Sequence, residues 1–160
     1  MAAVTPPDMP ASPDQRLGMV LKRAEQALLR AKNAAVKPIG LTLAQYVALA
    51  ELDRRPGITG AALARACLVT PQAMMVVLKS MDEQGLVSRS PHPRHPNVLE
   101  LRMTDAGREA LHTALERVEP VERRVLDAFS PAELRTLTDL LNRLTDATDA
   151  RSGTDSPPTG

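Results

Sequence analysis

Between Thr59 and Thr104 the hydrophobic period of the chain changes twice, and a cap or a breaker marks each change. "TGAALARAC" holds a short helix over about residues 60–67, capped by Thr59. After a brief turn, "TPQAMMVVLKSMDEQG" begins a second helix. Thr70 is its cap, and Pro71 sits at the first helical position, where a missing N–H costs nothing. Gly85 is placed to close it in a left-handed conformation. The spacing then drops from three-and-four to two: Val98, Glu100 and Arg102 alternate with Leu99, Leu101 and Met103. Residues 86–89 and 98–103 are β-suited arms around the Pro-rich tip "SPHPRHPN".

Short helix, turn, second helix and hairpin together make a winged helix-turn-helix. The expected fold class is mainly α with a small β-hairpin wing. Helices flank this head on both sides. Residues 14–36 carry Leu17, Val20, Leu21, Ala24, Leu28 and Ala31 at helical spacing, and "KPIG" ends that run. A further helix starts at "LTLAQYVALAELDRRPG", with Thr42 and Gln45 at capping-box spacing. Thr104 caps a long helix reaching about Phe129, with Leu111, Leu115, Val118 and Leu126 expected inside and Pro120 expected to bend it. "SPAE", residues 130–133, is a second capping box, and Leu134, Leu137, Leu141 and Leu144 form the last stripe.

The resulting division is a disordered tail (1–12), an N-terminal dimerisation helix (13–37), a DNA-binding head (38–104), C-terminal dimerisation helices (105–149) and a second tail (150–160). Dimerisation is expected because a chain this small cannot cover its outer stripes, and soluble proteins rarely expose more than a few hundred Å² of contiguous apolar surface. A two-fold axis would bury the stripes and set two reading helices about 34 Å apart, one DNA turn.

Composition narrows the function. Tyr46 and Phe129 are the only aromatics, which argues against single-strand binding by base stacking. From Arg54 to Thr104 seven Lys or Arg face three Asp or Glu; from Asp105 to Asp149 six face ten. The middle of the chain is therefore suited to an anion. A single cysteine, Cys67, excludes an internal disulfide framework and fits a reducing compartment. No apolar run approaches the roughly 18 residues of a membrane span, so a cytoplasmic location is expected. Neither a Gly-rich phosphate loop nor a nucleophile with acid and base partners is present, so no catalytic residues are assigned. His92, His95, His112 and Cys67 are too scattered for a metal site, and no cofactor is expected.

If Met74, Val77, Leu78 and Met81 face the core, the second helix presents Gln72, Ala73, Met75, Val76, Lys79 and Ser80 outward. In a helix-turn-helix these early residues enter the major groove. Gln72 can pair bidentately with adenine, and Ala73, Met75 and Val76 can pack on thymine methyls. Lys79 suits a phosphate. The competing expectation packs Met75 and Val76 on the wing or a neighbouring subunit; a separate one, drawn from the apolar outer face of residues 73–76, is a degenerate winged-helix module that binds protein and has lost specific DNA binding.

"LTLAQYVALAEL", "PGITGAALA", "TPQ", "LKSMDEQGLVSR" and "LRMTDAG", in that order, resemble the MarR family of winged-helix regulators. The resemblance runs from about Arg16 to Leu144. It implies a homodimeric repressor of double-stranded DNA that recognises a pseudo-palindromic operator and releases it when a small, often aromatic, ligand binds. The chain departs from the pattern at two places. Val76 stands where many relatives carry Arg, and the wing's usual Asp-x-Arg pair falls on His95 and Asn97. Arg94 is the nearest substitute for the minor-groove arginine. Arg89 aligns with a family arginine at the wing base, where a phosphate contact and an ion pair are both open. The expected DNA-binding set is thus Thr70, Gln72, Ala73, Met75, Val76, Lys79, Ser80, Arg89, Arg94, His95 and Asn97. Cys67 lies away from the family's usual redox cysteine and is read as an inert thiol.

Overall fold

The computed structural model describes residues 13–92 and 95–149, with side chains described for 16–91 and 98–149. Both expected tails fall outside that description. The chain divides into two compact units at Pro120.

The first unit opens with α1 (Pro13–Val36), followed by a 3-10 turn (Lys37–Ile39) that Gly40 closes at φ 78°. The α2 helix (Leu43–Arg54) starts with a complete capping box: Thr42 Oγ1 accepts from Gln45 N, and Gln45 Oε1 accepts from Thr42 N at 2.8 Å. Next come α3 (Gly60–Ala66), capped by Thr59, and α4 (Pro71–Glu83), capped by Thr70. The α3 and α4 axes bend by 110°, within the 90–120° range of a helix-turn-helix. Gly85 does adopt the left-handed conformation, at φ 67°.

Strands β1 (Val87–His92) and β2 (His95–Met103) pair antiparallel, with Val87 opposite Met103 and a register break after Pro91. Both strands run further toward the tip than residues 86–89 and 98–103, because pairing tolerates the prolines at this irregular end. Leu49 and Leu52 of α2, Leu63 of α3, Met74 and Met81 of α4, and Leu101 of β2 meet in one buried core.

The expected alternation along β2 holds only in part. Leu101 is buried, but so is its neighbour Glu100. The physical cause is the Gly57–Ile58 segment, which pairs with β2: Gly57 N donates to Leu101 O, and Leu101 N donates to Ile58 O, both at 3.0 Å. Gly57 has φ 85° and lies close against Glu100; a Cβ there would stand 3.3 Å from Glu100 Oε2. Glu100 is in turn paired with Arg102 Nη2 at 2.8 Å.

The α5 helix (Asp105–Asp127) runs continuously through Pro120, and α6 (Pro131–Asp149) follows. In the second unit, Ser130 and Glu133 form the expected box: Glu133 Oε2 accepts from Ser130 N at 2.8 Å. That bond, with one from the Ser130 hydroxyl, holds the Glu133 carboxyl below its ordinary range.

Of the residues expected inside α5, Leu115 and Leu126 need correction, whereas the α1 and α6 stripes are partly uncovered, as expected of a single chain. Leu111 and Val118 are buried, but Leu115 and Leu126 are about half exposed; so are Leu17 and Val20 of α1, while Leu137 and Leu141 of α6 are exposed to a lesser degree. The helices formed at the expected spacing, and among the described residues the stripes are covered only in part, with Leu21, Leu28, Leu134 and Leu144 half-buried. No single described helix is long and apolar enough to cross a membrane.

Candidate nucleic-acid interface

The α4 helix is anchored on one side and open on the other. Met74, Leu78 and Met81 are buried, which fixes the rotation of the helix about its axis. Thr70 Oγ1 accepts from Ala73 N at 3.1 Å, so the helix starts at Pro71. Gln72, Ala73, Met75, Val76 and Lys79 are all exposed, Met75 and Val76 each at 69%. None of the described residues buries Met75 or Val76. Lys79 Nζ lies 3.9 Å from Glu83 Oε1, with both side chains largely in water. Such a pair is worth a few tenths of a kcal/mol, so Lys79 can leave it for a phosphate at little cost.

Two polar links hold α4 to its neighbours. Ser80 is half-buried rather than fully outward. Its Oγ accepts from Gln45 Nε2 at 3.2 Å and from Gln84 Nε2 at 3.1 Å. Gln45 is only 2% exposed, so one side chain both caps α2 and ties it to α4. At the other end Arg89 Nε lies 3.2 Å from Asp82 Oδ2, joining the wing base to the last turn of α4. Of the two roles open for Arg89, the structure shows the ion pair. Ser80 and Arg89 thus tie α4 to α2 and to the wing base. The expectations for Arg94, and for the side chains of His92, His95 and Asn97, fall outside the described residues.

Two features escaped sequence reading. The Gln45–Ser80 bond joins residues 35 apart, and no periodicity signals it. The α3–α4 turn places Leu68 at φ 55° with its side chain in water. Cys67 beside it is half-buried; desolvation first, and the Glu51 carboxylate second, push its thiol upward from the usual value. That disfavours the reactive thiolate. Among the described residues no cluster of three or more His, Cys, Asp or Glu could hold a metal ion. The concave surface beside Met19, Val20, Arg23, Ala27 and Arg30 is formed by α1 alone, which makes it an uncovered helix face rather than a ligand cavity.

The MarR family model matches residues 39–95, the span from the 3-10 turn to the wing tip. The HTH-type transcriptional repressor Rv2887 of Mycobacterium tuberculosis is 34% identical over 82% of this chain and 94% of its own. The chain belongs to the MarR family. A crystal structure of Rv2887 with p-aminosalicylic acid superposes with a TM-score of 0.64, at 34% identity, covering 81% of this chain and 98% of that one. The repressor CouR, bound to a 23-mer DNA duplex, superposes with a TM-score of 0.75 at 25% identity, covering 86% and 99%. This MarR family protein is a winged-helix transcriptional regulator, and its α4 is the second helix of the helix-turn-helix.

Proposed function

We propose that the protein is a cytoplasmic, homodimeric repressor that reads a pseudo-palindromic operator in double-stranded DNA and releases it on binding a small aromatic acid, with no catalytic step. The observation that carries this reading is the free face of α4: Gln72, Ala73, Met75, Val76 and Lys79 stand in water on a helix whose other side is locked into the core. Gln72 serves adenine, the apolar residues serve thymine methyls, and Lys79 serves the backbone. The exposed leucines of α1 and α6 support the dimer, since uncovered stripes of this kind call for a partner surface. The p-aminosalicylic acid held by Rv2887 supports the ligand class.

A second reading draws on the same exposure of Met75 and Val76, which would also suit an apolar protein partner. One experiment separates the two. The full chain is titrated against a labelled duplex from upstream of its own coding region, with excess random-sequence duplex as competitor, and its mass is measured in solution. The repressor predicts a mass of two chains, retention that survives the competitor, and release on adding salicylate. A single-chain mass, or no retention at low salt, favours the protein-binding reading.

A further inference from the structure

Leu68 is the residue that the fold itself does not explain. It is the only non-glycine residue with a positive φ among the described residues, at 55°, and it is 92% exposed. Its N–H donates to Arg65 O at 3.2 Å, and the next N–H, of Val69, donates to Ala64 O at 3.0 Å. These bonds close α3 in the manner that ordinarily places glycine or asparagine at this position. A leucine here is disfavoured twice. Its Cβ crowds a left-handed backbone, and its apolar side chain stands in water without entering the core. Backbone outliers of this kind concentrate where a chain meets its ligand.

We propose that Leu68 is a contact residue for DNA, packing against the deoxyribose face of the strand that borders the major groove. The inference rests on the reading of α4 given above and extends that interface into the turn. Leu68 lies two residues before the α4 cap Thr70, a chain span of at most about 7 Å. The major groove is about 12 Å wide, so a turn tethered that closely to a helix start inside it lies at the groove wall. The wall is made of sugars and phosphates. Arg65, exposed in the last turn of α3, offers the positive charge that a phosphate takes. Leu68 offers the apolar surface that the sugar between two phosphates takes. A sugar contact carries no sequence information, so it adds affinity without adding specificity.

The test is Leu68→Gly, which keeps the left-handed turn and removes the side chain. Urea unfolding and anisotropy titrations are run on the full chain, against both the upstream duplex and a random-sequence duplex of equal length. The expected result has opposite signs: the urea midpoint rises, because strain is relieved, while affinity for both duplexes falls about five-fold. The salt dependence stays as in the parent, since no charge is lost. Leu68→Met, which keeps the apolar reach, should bind like the parent. Unchanged affinity in Leu68→Gly would overturn the proposal, as would a loss confined to the upstream duplex, which would mean a base contact. A lowered urea midpoint would make Leu68 a folding residue and overturn it too. If the parent chain itself retains neither duplex at low salt, the reading of α4 fails and this proposal falls with it; a parent that binds beside an unaffected Leu68→Gly sinks only the proposal.

Discussion

Replacing Gly107 by alanine is expected to lower the unfolding free energy by about 3 kcal/mol, at the upper end of what overpacking costs. The first turn of α5 passes directly over the end of α4 and the start of the wing. A Cβ on Gly107 would overlap the Leu86 carbonyl oxygen well inside the 3.0 Å that real Cβ contacts respect. The obstacle is backbone rather than a side chain that can swing aside. That same carbonyl accepts from Thr104 N at 3.1 Å, and Thr104 Oγ1 accepts from Gly107 N at 3.0 Å. Moving α5 outward therefore also strains the bonds that start it. Gly85→Ala is the internal comparison. Its φ of 67° disfavours a side chain, but nothing lies within 4 Å of the new methyl, so about 1 kcal/mol is expected. Urea titrations of both variants check the account. Equal and small losses would show that α5 can shift freely.

Gln45→Ala is expected to cost about 2–3 kcal/mol, and to weaken DNA binding as well. The substitution removes the acceptor for Thr42 N, the bond to Ser80, and most of the volume of a buried side chain. A cap is worth about 1 kcal/mol, an internal hydrogen bond about as much, and the cavity adds to both. Because Ser80 belongs to α4, the loss is felt at the reading helix. Ser80→Ala leaves the capping box intact and removes the link to Gln45 together with the exposed bond from Gln84, and should cost about 1 kcal/mol. Urea unfolding and anisotropy titration of the two variants give the comparison. If Gln45→Ala proves no more costly than Ser80→Ala, the buried amide contributes nothing through the capping box or its volume.

The elements of this protein were legible because each is announced by local chemistry. Thr59, Thr70 and Thr42 cap the helices where their spacing predicts, and Pro71 starts α4. The free face of α4 followed from the burial of Met74, Leu78 and Met81 alone. Long-range features were not legible. Ser80 sits on the boundary of the apolar stripe, where periodicity cannot say whether it faces solvent or α2; only the fold brings Gln45 to it. Glu100 occupies a position that alternation assigns to water, and it is buried because the Gly57–Ile58 segment, distant in sequence, pairs across it. The turn at Leu68 was hidden for the opposite reason. "ACLVT" contains no glycine, so nothing in it signals a left-handed residue. The stripes of α1 and α6 were read correctly as apolar, but burial is a property of what lies opposite, which periodicity along one helix does not report.

The most direct test places a carboxylate on the reading face. Val76 is 69% exposed, so Val76→Asp should leave the urea midpoint and the solution mass as they are in the parent. Against the upstream duplex, anisotropy titration should show affinity falling at least about 100-fold. A like charge driven against the acceptor-lined groove costs several kcal/mol, and each 1.4 kcal/mol is a factor of ten. A folded Val76→Asp protein that binds the duplex as tightly as the parent would show that α4 does not lie on DNA.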